Sequence, residues 1–246
     1  MVQDPPARSV RGRPRSTRPA AGKAEPSRRV VTRLVVPAAT ALLVLTLAVV
    51  LRATPVLHLD ALVSADAYRA ALEHPAWRAT MYAVTRTADA TSLTPVAVVG
   101  ALLLMWGRRW RQAWLIPAAM LGAGVARLVV LNVVDRPRPL GGLAPASGWS
   151  FPSGHTTGSA AAAAIVIVVC WPMLRGRLSR TLLISLAGGW AAAVGVSRVA
   201  LVVHWPSDIL GAWLLVAAVV PTVAVLLGAW PSGTADRARR PQRGTM

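Results

Sequence analysis

The sequence predicts an all-α membrane protein that crosses the bilayer six times, on three observations. Its 246 residues are 54% hydrophobic and only 15% charged, with a mean hydropathy of +0.51, a balance that a soluble domain of this length does not carry. Apolar runs, most of them close to the roughly 20 residues that a helix needs to cross a hydrocarbon core, alternate with polar connections. The basic residues mark every second connection. Of 27 Lys and Arg, nine lie in residues 1–33, four follow Trp230, three sit in the turn Arg108–Arg111 and three in the turn Arg175–Arg180. That is the positive-inside pattern. It also accounts for the net charge of +18 and the pI near 12.0. The charge reads as topology and contact with anionic lipid. No nucleic-acid partner is expected, because no aromatic residues interleave with the basic ones.

Each element follows in order. Residues 1–33 hold Arg, Pro, Ala and Ser with almost no large apolar side chain, and read as a disordered, basic cytoplasmic tail. The first span runs from Leu34 to about Leu51. Ser27-Arg28-Arg29-Val30 before it has the look of a twin-arginine export signal. No small-residue cleavage site follows and further spans do, so a retained helix is expected. Residues 54–90 mix apolar positions with Asp60, Asp66, Arg69, Glu73, Arg78, Arg86 and Asp89, and predict an external amphipathic helix near the interface.

The second span is about Thr91–Trp106 and ends at the cytoplasmic turn Arg108-Arg109-Trp110-Arg111. The third is about Trp114–Val134, and a Pro- and Gly-containing loop from Asp135 to Ser150 leads to Phe151. The fourth span starts at Pro152-Ser153-Gly154-His155 and runs to Leu174. The fifth is about Thr181–Val196, Ser197–Ser207 forms the next external turn, and the sixth runs from about Asp208 to Trp230. A second basic tail, 231–246, completes the domain plan around a membrane domain of 34–230. Both termini then lie in the cytoplasm and the polar motifs on the other side of a cell membrane. The single Cys170 sits in an apolar run, so no intrachain disulfide forms. Small residues in the later spans (Ala160–Ala164, Gly188, Gly189, Gly195) suit close helix packing in lipid.

The chemistry is concentrated at the external ends. Pro152-Ser153-Gly154-His155 is a proline-started helix whose free amides favour an anion; Ser153 adds a hydroxyl, Gly154 permits close approach, and His155 is a proton donor. Alone, this tetrapeptide reads equally well as a helix cap beside a surface histidine. Arg198 adds a planar fork for phosphate oxygens, and His204 and Asp208 share a helix face if the helix begins near Pro206. A carboxylate there fixes the imidazole's tautomer and leaves its other nitrogen free as a nucleophile. Asp135-Arg136-Pro137-Arg138-Pro139 brings two more arginines to the side that topology keeps poor in them, and Arg136, Arg138 or both complete a phosphate cradle.

With these residues in place, the chain resembles the type-2 phosphatidic acid phosphatase superfamily, membrane lipid phosphate phosphatases related to vanadium-dependent haloperoxidases. The family pattern is Lys, six residues, Arg-Pro; then Pro-Ser-Gly-His; then Ser-Arg, five residues, His, three residues, Asp. Its second and third elements match at Pro152–His155 and Ser197–Asp208, and its first at Arg138-Pro139. The lysine position falls on Leu131, and the chain's one lysine is Lys23. Arg127, one helical turn before Leu131 on nearly the same face, is the expected substitute.

The resemblance implies metal- and cofactor-free hydrolysis of a lipid-linked phosphate (phosphatidic acid, phosphatidylglycerol phosphate or a polyprenyl diphosphate). His204 is implied as the nucleophile steadied by Asp208, with His155 as acid and then base. Arg138, Arg198, Ser153 and Gly154 are implied as phosphate ligands. The same residues also serve a phosphotransferase acting through the same phosphohistidine, and the missing lysine admits a catalytically silent phospholipid-binding relative.

Overall fold

The computed structural model describes residue 29 and residues 31–231. The tails expected in 1–33 and 231–246 fall almost wholly outside them. Among the described residues every regular element is helical. A π-helical turn, Val31–Val35, runs into α1 (Val36–Val50). There follow α2 (Thr54–Glu73), α3 (Pro75–Arg86), α4 (Ala90–Trp106), α5 (Trp110–Val134), α6 (Gly154–Cys170, extended by a 3₁₀ turn to Met173), α7 (Arg177–Ala200) and α8 (Pro206–Leu226).

Among the described residues five helices are long and apolar enough to cross a membrane: Val31–Val50, α5, Gly154–Met173, α7 and α8. The sixth crossing differs from the single straight span expected over Thr91–Trp106. By itself α4 is short, and it reaches a spanning length together with α3, as a pair bent by 40° at a break over residues 87–89. The single amphipathic helix expected over 54–90 is likewise two helices. Pro75 disfavours helical backbone at His74, which sits at φ −124°, ψ 81°, and the chain turns there.

The core lies where α5, α6 and α8 meet, and α7 packs along α6. Ala119 and Ala123 of α5, Ala160 and Ala161 of α6, and Ala224 of α8 are buried there beside Leu115, Ile165, Leu215 and Val220. Small side chains bring these helix axes close, which matters in lipid because association there relies on packing contact rather than on expulsion of water. Large apolar side chains such as Leu103, Val129 and Leu186 point outward instead.

Antiparallel packing places the C-terminus of α5, the N-terminus of α6, the C-terminus of α7 and the N-terminus of α8 at one end of the bundle. Ser153 N–H donates to the Asp208 carbonyl at 3.2 Å, which ties the start of α6 to that of α8. The two arginine turns lie at the other end. Arg109 Nη2 donates to the Val169 carbonyl at 3.1 Å, at the end of α6 opposite His155.

Candidate active site

His204 and Asp208 stand either side of the start of α8, where Pro206 occupies the first helical turn. Proline is suited to that position because its missing N–H needs no partner there and its φ is already helical. The four-residue spacing brings His204 Nδ1 to 3.2 Å from Asp208 Oδ2, which also accepts the Trp205 backbone N–H at 2.9 Å. A carboxylate only accepts, so the hydrogen sits on Nδ1 and Nε2 carries the lone pair. Both side chains are buried. Burial pushes the His204 imidazole down from 6.5 to about 4, against the opposing hydrogen bond and charge of Asp208. At neutral pH it is an uncharged base whose Nε2 lone pair faces the Arg138 guanidinium at 3.0 Å rather than a carboxylate.

The other oxygen of Asp208 is held by Arg136. Arg136 Nη1 donates to Asp208 Oδ1 at 2.8 Å and to Ser207 Oγ at 2.6 Å, while Nη2 donates to Asp60 Oδ2 at 2.6 Å. Asp60 in turn accepts the Ser207 backbone N–H at 2.9 Å and its hydroxyl at 2.5 Å. The guanidinium also lies over the Trp205 ring, 5.4 Å from its centroid. Sequence reading offered Arg136, Arg138 or both as phosphate ligands. In the structure its terminal nitrogens are committed to two buried carboxylates, so it holds Asp208 and through it His204.

At this end of the bundle Arg138, Arg198 and Arg127 make no salt bridge to a carboxylate among the described residues. Arg138 Nη1 lies 3.0 Å from His204 Nε2 and donates to the Val203 carbonyl at 2.8 Å. Its Nε and Nη2 donate to the carbonyls of Gly148, Ser147 and Trp149 at 2.9 to 3.0 Å, so the loop before α6 fixes the fork through neutral acceptors that leave its charge without a salt bridge. Burial lowers the Arg138 guanidinium from its ordinary value, while the Asp208 charge acts the other way. Arg198, 3% exposed, donates from Nη1 to Thr85 Oγ1 at 3.0 Å, and its buried Nε has no hydrogen-bond partner. Arg127 reaches the start of α6. Its Nε donates to the Pro152 carbonyl at 3.1 Å, and its guanidinium covers Gly154 so closely that a Cβ there would fall 3.1 Å from Arg127 Cζ.

The tetrapeptide is fixed from below. Phe151 is fully buried, and its ring occupies the space beside Gly211 of α8, where a Cβ would lie 2.6 Å from Phe151 Cζ. Ser153 is buried with its hydroxyl accepting from Thr156 Oγ1 at 3.0 Å, which leaves its own hydrogen free to donate. His155 is half-buried, and its Nε2 lies 2.8 Å from Asp89 Oδ1.

The structure thus gathers His155, His204, Asp208, Arg138, Arg198, Arg127, Ser153 and Gly154 at one end of the bundle. It adds four residues that sequence reading missed as site residues: Asp60, Thr85, Asp89 and Ser207. Asp60 and Asp89 were counted only as polarity in an amphipathic segment. A signal was present for Asp60, an acid set in the apolar run Val56–Val63, whereas Thr85 carried none. Asn132, one residue beyond the lysine position, is exposed and bonds back to the Leu128 carbonyl of its own helix at 2.9 Å. Among the described residues no group of three His, Cys, Asp or Glu side chains gathers as a metal site.

The model of the PAP2 superfamily matches residues 112–230, which takes in all three motifs. Phosphatidylglycerophosphatase B of Bacillus subtilis (strain 168) is 30% identical over 171 residues, covering 65% of this chain and 81% of that protein. Phosphatidylglycerophosphatase B of Escherichia coli (strain K12) is 39% identical over 84 residues, 34% of this chain, and the match spans only 29% of that relative's length. A crystal structure described as the first transmembrane PAP2-type phosphatidylglycerolphosphate phosphatase from Bacillus subtilis superposes with a TM-score of 0.69 at 24% identity, covering 85% of this chain and 98% of that one. By motif, by family model and by a relative that it covers over four-fifths of its length, this multi-pass membrane protein belongs to the PAP2 superfamily.

Proposed function

We propose that the protein hydrolyses a phosphate monoester or diphosphate carried on a membrane lipid, through a phosphohistidine on His204 and without a metal ion. The observation that carries this reading is the convergence of Arg127, Arg138 and Arg198, none paired with a carboxylate, on two histidines at the end of a membrane bundle. Guanidinium charge without a direct salt bridge near a neutral imidazole nucleophile suits a phosphoryl group, whose transfer is catalysed mainly by positioning and charge stabilisation.

In the proposed reaction His204 Nε2 attacks phosphorus, a P–N bond forms and the P–O bond to the lipid breaks. His155 gives a proton to the departing oxygen. Asp208 steadies the imidazolium that forms on His204. His155, now neutral, takes a proton from water, which attacks the phosphohistidine, breaks the P–N bond and frees phosphate. Arg138, Arg198, Arg127, Ser153 and the Gly154 amide hold the non-bridging oxygens. The arginines and amides supply the positive charge that Mg²⁺ supplies in other phosphoryl-transfer sites.

The named relatives are phosphatidylglycerophosphatases, which makes a lipid phosphate monoester the leading substrate class and phosphatidylglycerol phosphate the first to test. The positive-inside rule puts the Arg108–Arg111 and Arg175–Arg180 turns in the cytoplasm and the histidines on the outer face. Phosphate release in detergent with EDTA, from phosphatidylglycerol phosphate, phosphatidic acid and undecaprenyl diphosphate, tests the reading with wild type and His204→Ala. Release by wild type alone, with an acid-labile phosphoenzyme trapped on wild type, is the expected result. A requirement for Mg²⁺, or turnover by His204→Ala within a few-fold of wild type, overturns it.

A further inference from the structure

Asp89 occupies the N-cap position of α4, in the break that bends α3 and α4 by 40°. Aspartate is among the residues that best cap a helix, by accepting the first free amides on its side chain. Here it makes no side-chain cap bond. Its carboxylate is turned onto His155 Nε2 at 2.8 Å. Neighbouring contacts hold the break in place: Thr87 Oγ1 accepts from Trp190 Nε1 at 2.9 Å, and Thr85 Oγ1 accepts from Arg198 Nη1 at 3.0 Å. A break in a helix at membrane depth is tolerated where its polar groups are buried in protein or line a cavity. This one delivers a carboxylate to the second histidine.

We propose that Asp89 is a positioning residue for His155, forming a second carboxylate–imidazole pair that mirrors Asp208 and His204 with the ring nitrogens exchanged. On His204 the carboxylate takes Nδ1 and Nε2 is left for phosphorus; on His155 it takes Nε2 and Nδ1 is left for the leaving oxygen and then for water. Asp89 favours a hydrogen on Nε2 and supports the protonated ring, so that Nδ1 delivers its proton to the lipid oxygen and later recovers one from water. Among the described residues the other charges that act on His155 are Arg198 of α7 and Arg127 of α5, both cations, and Asp89 is the anion that opposes them there. The catalytic step assigned to His155 rests on the phosphatase reading, whereas the pairing itself does not.

The experiment separates the two. Kinetics of Asp89→Asn and Asp89→Glu in the full chain are measured on a lipid phosphate and on p-nitrophenyl phosphate, beside ¹⁵N-histidine NMR in detergent, which is tractable with four histidines. An asparagine caps a helix as well as an aspartate does, so the Asp89→Asn fold is expected to hold. General-acid catalysis contributes about 100-fold or more, so kcat on the lipid phosphate is expected to fall at least about 30-fold with KM within about threefold. On p-nitrophenyl phosphate, whose leaving group needs no proton, the fall is about threefold or less. Asp89→Glu recovers part of the loss. The His155 resonances are expected to lose their Nε2–H bias in Asp89→Asn. Equal losses on both substrates, or His155 resonances unchanged by Asp89→Asn, overturn the proposal. If wild type releases no phosphate from any substrate, the phosphatase reading fails, and the NMR comparison still decides the pairing.

Discussion

Arg136 and Asp208 form a buried ion pair at 2.8 Å in which the arginine takes one carboxylate oxygen and His204 takes the other. Asp60 closes the group from α2 by accepting the second arm of Arg136. Removing one partner of such a pair leaves the other charged, buried and unmatched, which typically costs about 3–5 kcal/mol. Arg136→Ala is therefore expected to lower thermal stability sharply. Asp60→Asn is the milder change, because the amide still accepts from Ser207. Both are expected to lower kcat with little change in KM. A KM effect of Asp60→Asn larger than its kcat effect would show that Arg136 contacts substrate after all.

The buried His204 makes stability depend on pH. Its pKa falls from 6.5 to about 4 on folding, so between those values the unfolded chain binds a proton that the folded chain refuses. The contribution is fully present above pH 6.5 and is lost as pH falls toward 4. Melting temperature measured across this window in detergent should drop more steeply for wild type than for His204→Asn. Parallel curves would mean that His204 is not held neutral by burial.

Arg127 stands where it can take up the role of the lysine that the family pattern places at Leu131. A charge-assisted hydrogen bond is worth about 1.5–3 kcal/mol, so Arg127→Ala should raise KM for a lipid phosphate about tenfold or more. Arg127→Lys should recover most of that. Lys23→Ala is expected to leave KM unchanged, and equal small effects of Arg127→Ala and Lys23→Ala would remove Arg127 from the phosphate site.

Gly211 allows the Phe151 ring to seat against α8, and that seat sets the height of Ser153 and His155. A Cβ at Gly211 would fall 2.6 Å from the ring, so Gly211→Ala forces the ring or the helix to move. Overpacking of this kind costs about 1–3 kcal/mol. Melting temperature and kcat should fall together, and a second change at Phe151 to Leu should restore part of both.

Much of this was legible in the chain. Apolar runs of spanning length can only be helices in lipid, where each backbone group must find its partner within its own segment. Arginine turns mark the alternate ends of those helices, and Pro152–His155 and Ser197–Asp208 carry a spacing that a helix start converts directly into contact. What was not legible came from breaks and long-range pairs. His74-Pro75 divides a segment whose composition reads as one helix, and the bend at Thr87–Asp89 joins two pieces that reach spanning length only together. Asp60 and Arg136 lie 76 residues apart and Asp89 and His155 lie 66 apart, so neither pair leaves a local pattern.

The sequence by itself therefore determined the fold class and the end of the bundle at which the motifs carrying His155 and His204 gather. These follow from hydropathy, charge placement and short-range spacing. Only the tertiary structure decided which arginine faces which anion. Arg136 and Arg138 are two residues apart in one loop, yet one is buried against Asp60 and Asp208 while the other rests on His204. A guanidinium's role is set by the carboxylates that packing brings within reach, and packing is a property of the whole bundle.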